Sequence, residues 1–286
     1  MIKRILAAVL AAALLVCCCS CSGGKVADGK ILPRATHMAG RSTAEEVYAA
    51  LVDAGLPGAG VFLDWVTDFA ETVGNGDALP ADEWVSPQEL SADIYACMDA
   101  WEAKYDYSDA NCRITAFTLL GDLLTAEKAE DSYDGTYLMF DIDAAENTEK
   151  YAAVKARLPL FTTLFGEKYL APGESMREAF PAMWREYSFG ISGDRISLIS
   201  VVVSDVDGSS VFVGHTGVLV EQQDKLLFVE KIAFEQPYQA TELNDTDELL
   251  ALLAARPEYF GEAGEEGPFV YRNGELLGEL ESSTEN

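Results

Sequence analysis

Few residues in this chain can do nucleophilic or acid–base chemistry with an imidazole or a thiol. It has two histidines, His37 and His215, and six cysteines, of which Cys17, Cys18, Cys19 and Cys21 crowd near the N-terminus. Cys97 and Cys112 are left for the body. Cys112 follows the polar, turn-forming stretch 105–111 and opens an apolar run with Ile114, Phe117, Leu119 and Leu120. The spacing predicts a helix that begins within one turn of Cys112 and is capped by Asp109 or Asn111. At a helix N-terminus, free N–H groups and the helix dipole stabilise a thiolate, which lowers a thiol from its reference pKa of about 8.5. The same N–H groups are donors for an oxyanion. Cys97 stands mid-helix among Ile94, Met98 and Trp101, has neither feature, and reads as a small inert hydrophobe. The competing reading of the two thiols is a Cys97–Cys112 disulfide, formed in an oxidising compartment.

A nucleophilic thiol needs a base that takes its proton and returns it to the leaving group. His215 lies in the apolar run 211–220, which is separated from a second apolar run at 226–234 by the polar residues 221–225. This predicts a β-hairpin with His215 on its first strand. If the turn pairs Gln222 with Lys225, His215 falls opposite Ile232, and Glu230 becomes a diagonal neighbour on the same face, placed to orient the imidazole. A three-residue turn would shift the register by one and send Glu230 to the other face. The competing role for Glu230 is a pairing with Lys231 or solvent on an exposed edge. The candidate set is therefore Cys112 as nucleophile, His215 as base and acid, and Glu230 as orienter, with the Cys112 N–H forming part of an oxyanion hole. Asn111 and Tyr107 are expected to line the substrate. Gly214 and Gly217 would let a substrate backbone approach the strand, or else mark a bulge or a close crossing. His37 falls in a polar segment punctuated by glycine and proline and reads as incidental.

The elements that position these residues change character along the chain. Ser42 or Thr43, with Glu45 and Glu46, reads as the cap of a first helix, and 60–73 as a second. Ser86-Pro87 reads as the start of a third helix, reaching Lys104. Residues 136–140 read as a short strand, 143–165 as helical with a break at Pro159, and 174–184 as helical again. From Tyr187 the apolar period falls to two, and 187–191, 196–204, 211–220 and 226–234 read as strands of a meander. A helix at 245–255 and a hairpin around Asn273-Gly274 follow. The expected fold class is α+β, with a helical N-terminal half packed on an antiparallel sheet. A single domain is expected over 42–272, with 22–41 as a flexible tether and 273–286 as an acidic tail.

Lys3 and Arg4 precede an apolar run from Ile5 to Val16, too short to span a bilayer as a helix and suited to a signal-peptide core. Apolar residues, a small residue and then cysteine form the pattern of a bacterial lipoprotein signal. Cys21, between Ser20 and a glycine-containing linker, is the expected lipidation site, with Cys18 and Cys19 as alternatives. An uncleaved anchor and a plain secretory peptide are the competing readings. The expected location is extracytoplasmic, attached to the cell membrane through that lipid alone. Lys and Arg number 20 against 48 Asp and Glu, and the net charge of −28 repels phosphates and anionic lipid, so no nucleic-acid partner is expected. The charge fits solubility in an ion-rich space; its sharper reading is attraction of cationic substrates. Outside the N-terminal cluster there is no CxxC pair, P-loop, dinucleotide fingerprint or HExxH, and no cofactor or metal is expected. Asp205-Val-Asp207-Gly208 lacks the ligand spacing of a calcium loop and reads as a tight turn.

The segment Asn111-Cys-Arg-Ile-Thr-Ala-Phe117, together with His215-Thr-Gly-Val-Leu and Phe228-Val-Glu-Lys231, resembles a family of uncharacterised lipoproteins of Gram-positive bacteria. That family is described only as a domain of unknown function (DUF4300-like), and the likeness runs over 42–260. Cysteine at a helix start and His-x-Gly on a later strand are also similar to the NlpC/P60-type papain-like cysteine hydrolases. This second resemblance implies a papain-like arrangement and a peptidase or amidase acting on cell-wall or other peptide-like substrates. The chain departs from that pattern in its long cysteine-to-histidine spacing and in having no aspartate directly before the cysteine. The other class of function is a non-catalytic surface lipoprotein that binds a peptide or protein partner on a hydrolase-like scaffold. The chain is expected to act as a monomer.

Overall fold

In a computed structural model, residues 32–74, 78–79, 82–205, 207–260 and 266–281 are described. The signal segment with Cys21, Cys18 and Cys19 lies outside the described residues. The helices are α1 (Arg41–Ala54), α2 (Ala59–Val73), α3 (Ile94–Lys104), α4 (Cys112–Leu120), α5 (Met139–Asn147), α6 (Ala152–Lys155), α7 (Leu158–Phe165), α8 (Met176–Glu186) and α9 (Thr246–Ala254). The strands are β1 (Arg34–Thr36), β2 (Leu124–Thr125), β3 (Lys168–Tyr169), β4 (Gly190–Ile191), β5 (Ile196–Ser204), β6 (Ser210–Glu221), β7 (Leu226–Lys231), β8 (Tyr238–Leu243), β9 (Phe269–Arg272) and β10 (Glu275–Glu279). The main sheet runs β1-β8-β7-β6-β5-β9-β10, with β3 also pairing with β6 and β2 pairing with β4 apart from it. Every one of these pairings is antiparallel. The fold class is α+β, as the change of period along the chain predicts.

The central strands carry apolar side chains on both faces, so both faces need a cover. Val218, Val220, Leu227 and Val229 join the large core built with α1 to α8, whereas Leu219 and Phe228 pack with Leu249 and Leu253 of α9. All nine residues of α4 are buried, as befits a helix enclosed on every side. It packs across β6 and β7 on one side and against α2 and α6 on the other. Its first residue is therefore held between two layers of the fold.

Several expectations are corrected. Residues 34–36 pair with β8 and belong to the sheet, so the segment expected to be a tether up to 41 has structure from Arg34 onward. The predicted acidic tail likewise contains β10, whose pairing with β9 bears out the hairpin around Asn273-Gly274. The first helix is preceded by Gly40, with no side-chain cap, and Thr43 instead donates to Asp82. The third helix begins only at Ile94, where the Asp93 side chain accepts from the Ala96 N–H at 3.0 Å. Residues 136–140 are not a strand: Leu138 is buried and the chain passes directly into α5. Strand β8 is an element that the sequence reading did not anticipate. The described residues from Pro33 onward form one compact unit, and among the described residues no helix is long and apolar enough to cross a membrane.

Candidate active site

Asn111 fixes the start of α4. Its backbone is extended and its side-chain oxygen accepts from the Ile114 N–H at 3.0 Å. Its amide nitrogen donates to Asp141 of α5 at 2.7 Å. Both ends of the amide are engaged and the residue is buried, so Asn111 holds the helix start in place, whereas the sequence reading places it beside the substrate. Asp141 also accepts two bonds from the Arg113 guanidinium, at 3.0 and 2.8 Å. Arg113 donates further to the Val213 carbonyl of β6 at 3.3 Å and to the Tyr137 hydroxyl at 3.0 Å. Cys112 thus sits at the first helical position, between two residues that tie the helix to α5 and to β6. The N–H groups of Cys112 and Arg113 precede the one that the cap satisfies and have no acceptor within the helix.

The hairpin has the two-residue turn. The Gln222 N–H donates to the Lys225 carbonyl at 2.9 Å, and the ladder runs from Glu221–Leu226 to Val218–Val229. His215 and Glu230 lie just beyond its last pair, on the side-chain parity of Leu219 and Phe228. His215 Nε2 is 2.6 Å from Glu230 Oε2. The pairing of Glu230 with Lys231 does not occur. Lys231 points to the opposite face, where its ammonium lies 3.1 Å from Asp109 and 4.0 Å from the centre of the Phe69 ring.

Two further residues complete this cluster, and sequence reasoning missed both. Arg256, just after α9, donates to both oxygens of Glu230, one at 2.8 Å, and also to the Tyr259 hydroxyl at 2.8 Å. The Tyr259 ring stacks on His215 with centroids 5.6 Å apart. In the sequence Arg256 is a cation at a helix C-terminus, which reads as a partner of the helix dipole. Only the packing of α9 on the far sheet face brings it to Glu230.

Burial pushes the Cys112 thiol up, but hydrogen bonding and charge from His215, with a smaller contribution from Arg113, outweigh it and leave the thiol below its ordinary value. Burial pushes His215 down, and its bonds to Cys112 and Glu230 outweigh that in turn, so the imidazole is easier to protonate than usual. Burial also acts to raise Glu230, but the charge and hydrogen bonds of Arg256, then those of His215, hold it at about 2. With Nε2 engaged by Glu230, Nδ1 is the ring nitrogen left for the thiol. The arrangement is a buried set of thiol, imidazole, carboxylate and guanidinium in which the thiol is lowered and the imidazole raised, the directions that a thiolate–imidazolium pair requires. Groups shifted by specific charged partners in this way are the kind that cluster at functional sites.

The other predicted residues fall outside this chain. Gly214 is the extra residue of a bulge between Val213 and His215, and a Cβ there would meet Val203 at 2.9 Å. A Cβ on Gly217 would meet the Phe228 ring at 2.6 Å. Both glycines are thus taken up by packing, not by an approaching ligand, which is the bulge-or-crossing reading. Cys97 and Cys112 are both free thiols and both buried, so the disulfide does not form. His37 is buried, with Nδ1 3.4 Å from the Tyr238 carbonyl, because β1 joins the sheet. Tyr107 lines a cleft of about 760 Å³ between the segment 105–109 and α5. Cys112 and His215, 4% and 1% exposed, do not line that cleft.

No curated protein and no solved structure matches the chain. A family model does match, over residues 34–277, which takes in the helix start at Cys112, the hairpin and Arg256. The chain therefore belongs to the DUF4300 family, described as a domain of unknown function.

Proposed function

We propose that this chain is a cysteine hydrolase, a peptidase or amidase in which Cys112 is the nucleophile, His215 the base and acid, and Glu230 the orienter. The observation that carries the reading is the buried His215–Glu230 pair, Nε2 2.6 Å from the carboxylate, with Cys112 at a capped helix start near enough for His215 to lower its thiol. In the reaction, the Cys112 thiolate attacks the carbonyl carbon, and negative charge gathers on its oxygen within reach of the N–H groups of Cys112 and Arg113, which have no acceptor within the helix. Protonated His215 gives its proton to the leaving amine as the C–N bond breaks, leaving a thioester. Water then attacks the thioester, His215 takes its proton, and the acid departs as the thiolate and the imidazolium re-form. Glu230 keeps the imidazole in one orientation throughout, and Arg256 keeps Glu230 ionised. A helix start bearing cysteine against a sheet bearing histidine is similar in plan to the papain-like arrangement of NlpC/P60-type hydrolases. The signal pattern ending at Cys21 supports an extracytoplasmic, lipid-anchored placement and hence cell-wall or other peptide substrates.

Purified protein incubated with cell-wall stem peptides and with a defined peptide library, followed by mass spectrometry of new amino termini, tests the reading. Products are expected from the natural chain and none from Cys112→Ala or His215→Ala. Products that persist in both variants would overturn it. A second reading, a peptide-binding lipoprotein without catalysis, is favoured by the burial of Cys112 and by the wide cleft that the thiol does not line. It predicts peptide binding with no turnover in any of the three proteins.

A further inference from the structure

The cleft beside α3 and α5 has a volume of about 760 Å³, within the range of about 300–1,000 Å³ usual for ligand sites. Trp101 forms its floor, with Tyr105 packed 4.5 Å away and Tyr107 6.1 Å away between centroids. Phe140 of α5 stands at the rim, 68% exposed. Glu102, Asp106, Asp143 and Glu235 ring the same opening. Among the described residues, no basic side chain forms an ion pair with any of these four. The three lysines around the floor are engaged elsewhere: Lys104 on Asp68, Lys150 on Asp109 and Asp68, and Lys231 on Asp109. The rings already face ammonium groups of the chain itself, with Lys150 4.7 Å from the Trp101 centroid and Lys104 4.7 Å from that of Tyr105. An apolar aromatic floor under a rim of carboxylates that no basic side chain among the described residues neutralises focuses negative potential and attracts a cation that carries apolar stem. Anions are repelled there, and neutral groups gain only the floor.

We propose that this cleft is a binding subsite for an amine-bearing, cationic segment of a peptide. Its role in catalysis rests on the hydrolase reading: the wall 105–109 leads into Asn111 and Cys112, and α5 grips both Asn111 and Arg113 through Asp141. The cleft thus selects part of the substrate at a distance from the bond that Cys112 attacks. Calorimetric titration of the full chain carrying Cys112→Ala, which blocks turnover, tests binding alone. The probes are acetyl-Ala-Lys-Ala-amide and the same peptide with its lysine ε-acetylated.

The lysine peptide is expected to bind about fivefold more tightly than the acetylated one, since exposed charge pairs are each weak and three or four act together. That preference should fall to near parity in Glu102→Gln/Asp106→Asn/Glu235→Gln, which leaves only Asp143 of the four on the rim, and should shrink as salt is added. Phe140→Ala should weaken both peptides. Equal affinity for the two peptides, binding of neither, or a preference undiminished by the triple substitution would overturn the proposal. Selective binding by a protein whose natural form cleaves nothing would leave the subsite standing and remove the hydrolase.

Discussion

Replacing Glu230 by glutamine keeps the shape of the side chain and removes the charge that both His215 and Arg256 use. Glu230 is fully buried and the Arg256 side chain is 12% exposed, so the substitution leaves a guanidinium shielded from water without its counter-charge. Removing one partner of a buried ion pair costs about 3–5 kcal/mol. Arg256→Gln is expected to cost a similar amount, because it strands the carboxylate instead. When both are changed, two neutral amides face each other, and the combined loss should fall short of the sum by about 2 kcal/mol, within the range seen for directly contacting residues. Urea unfolding of the four proteins at pH 7 gives the coupling directly. Alkylation of Cys112 gives a second readout. Without the carboxylate His215 is harder to protonate, and labelling at pH 6 should slow, by up to about tenfold for each pKa unit lost. Losses that add to within about 0.5 kcal/mol, together with an unchanged labelling rate, would refute the view that Arg256, Glu230 and His215 act as one unit.

Three other expectations follow from the same geometry. Burial lowers His37 to about 4 from its ordinary 6.5, so its contribution to stability is full above pH 6.5 and is lost as the pH falls toward 4. The natural chain should then lose about 3 kcal/mol more than His37→Gln between pH 7 and pH 4 in urea titrations; equal losses would refute the assignment. Asn111→Ala should destabilise by about 2 kcal/mol, as a cap and a bond to a buried carboxylate are both lost. Asn111→Asp, a good cap elsewhere, should be no better in thermal melts, because its carboxylate would face Asp141; a stable aspartate variant would contradict this. Gly217→Ala should cost about 1–3 kcal/mol, since its methyl meets the Phe228 ring, and Gly217→Ala/Phe228→Leu should recover part of that loss in urea unfolding.

The parts of the site that local chemistry specifies were legible in the sequence. A short polar residue ahead of an apolar helical run marks Asp109 or Asn111 as the cap, and the structure uses Asn111; of the two turn lengths open to the hairpin, the two-residue one that forms puts Glu230 on the face of His215. The parts that depend on packing were not. Arg256 reaches Glu230 only because α9 covers the far face of the sheet. Strand β8 was missed because its buried residues include Gln239, Thr241 and Glu242, whose polar groups are satisfied within the fold: Gln239 donates to the Thr241 hydroxyl, and Glu242 pairs with Arg34. Of the β-prone residues 136–140, the first three form a turn that buries Leu138, and Met139 and Phe140 open α5 with their side chains exposed. His37 reads as a polar linker residue until β1 is paired with β8.

The central claim is that Cys112 is a thiolate held by His215. It is tested most directly by the pH dependence of iodoacetamide labelling, followed on the Cys112 peptide by mass spectrometry in the natural chain and in His215→Ala. Burial slows labelling by a similar factor at each pH, so the shape of the profile is the readout. The account predicts labelling that persists down to pH 6 and below in the natural chain, and that moves up to the ordinary thiol range of about 8.5 or above when the imidazole is removed. A midpoint in the ordinary range for the natural chain, unchanged by His215→Ala, would contradict it.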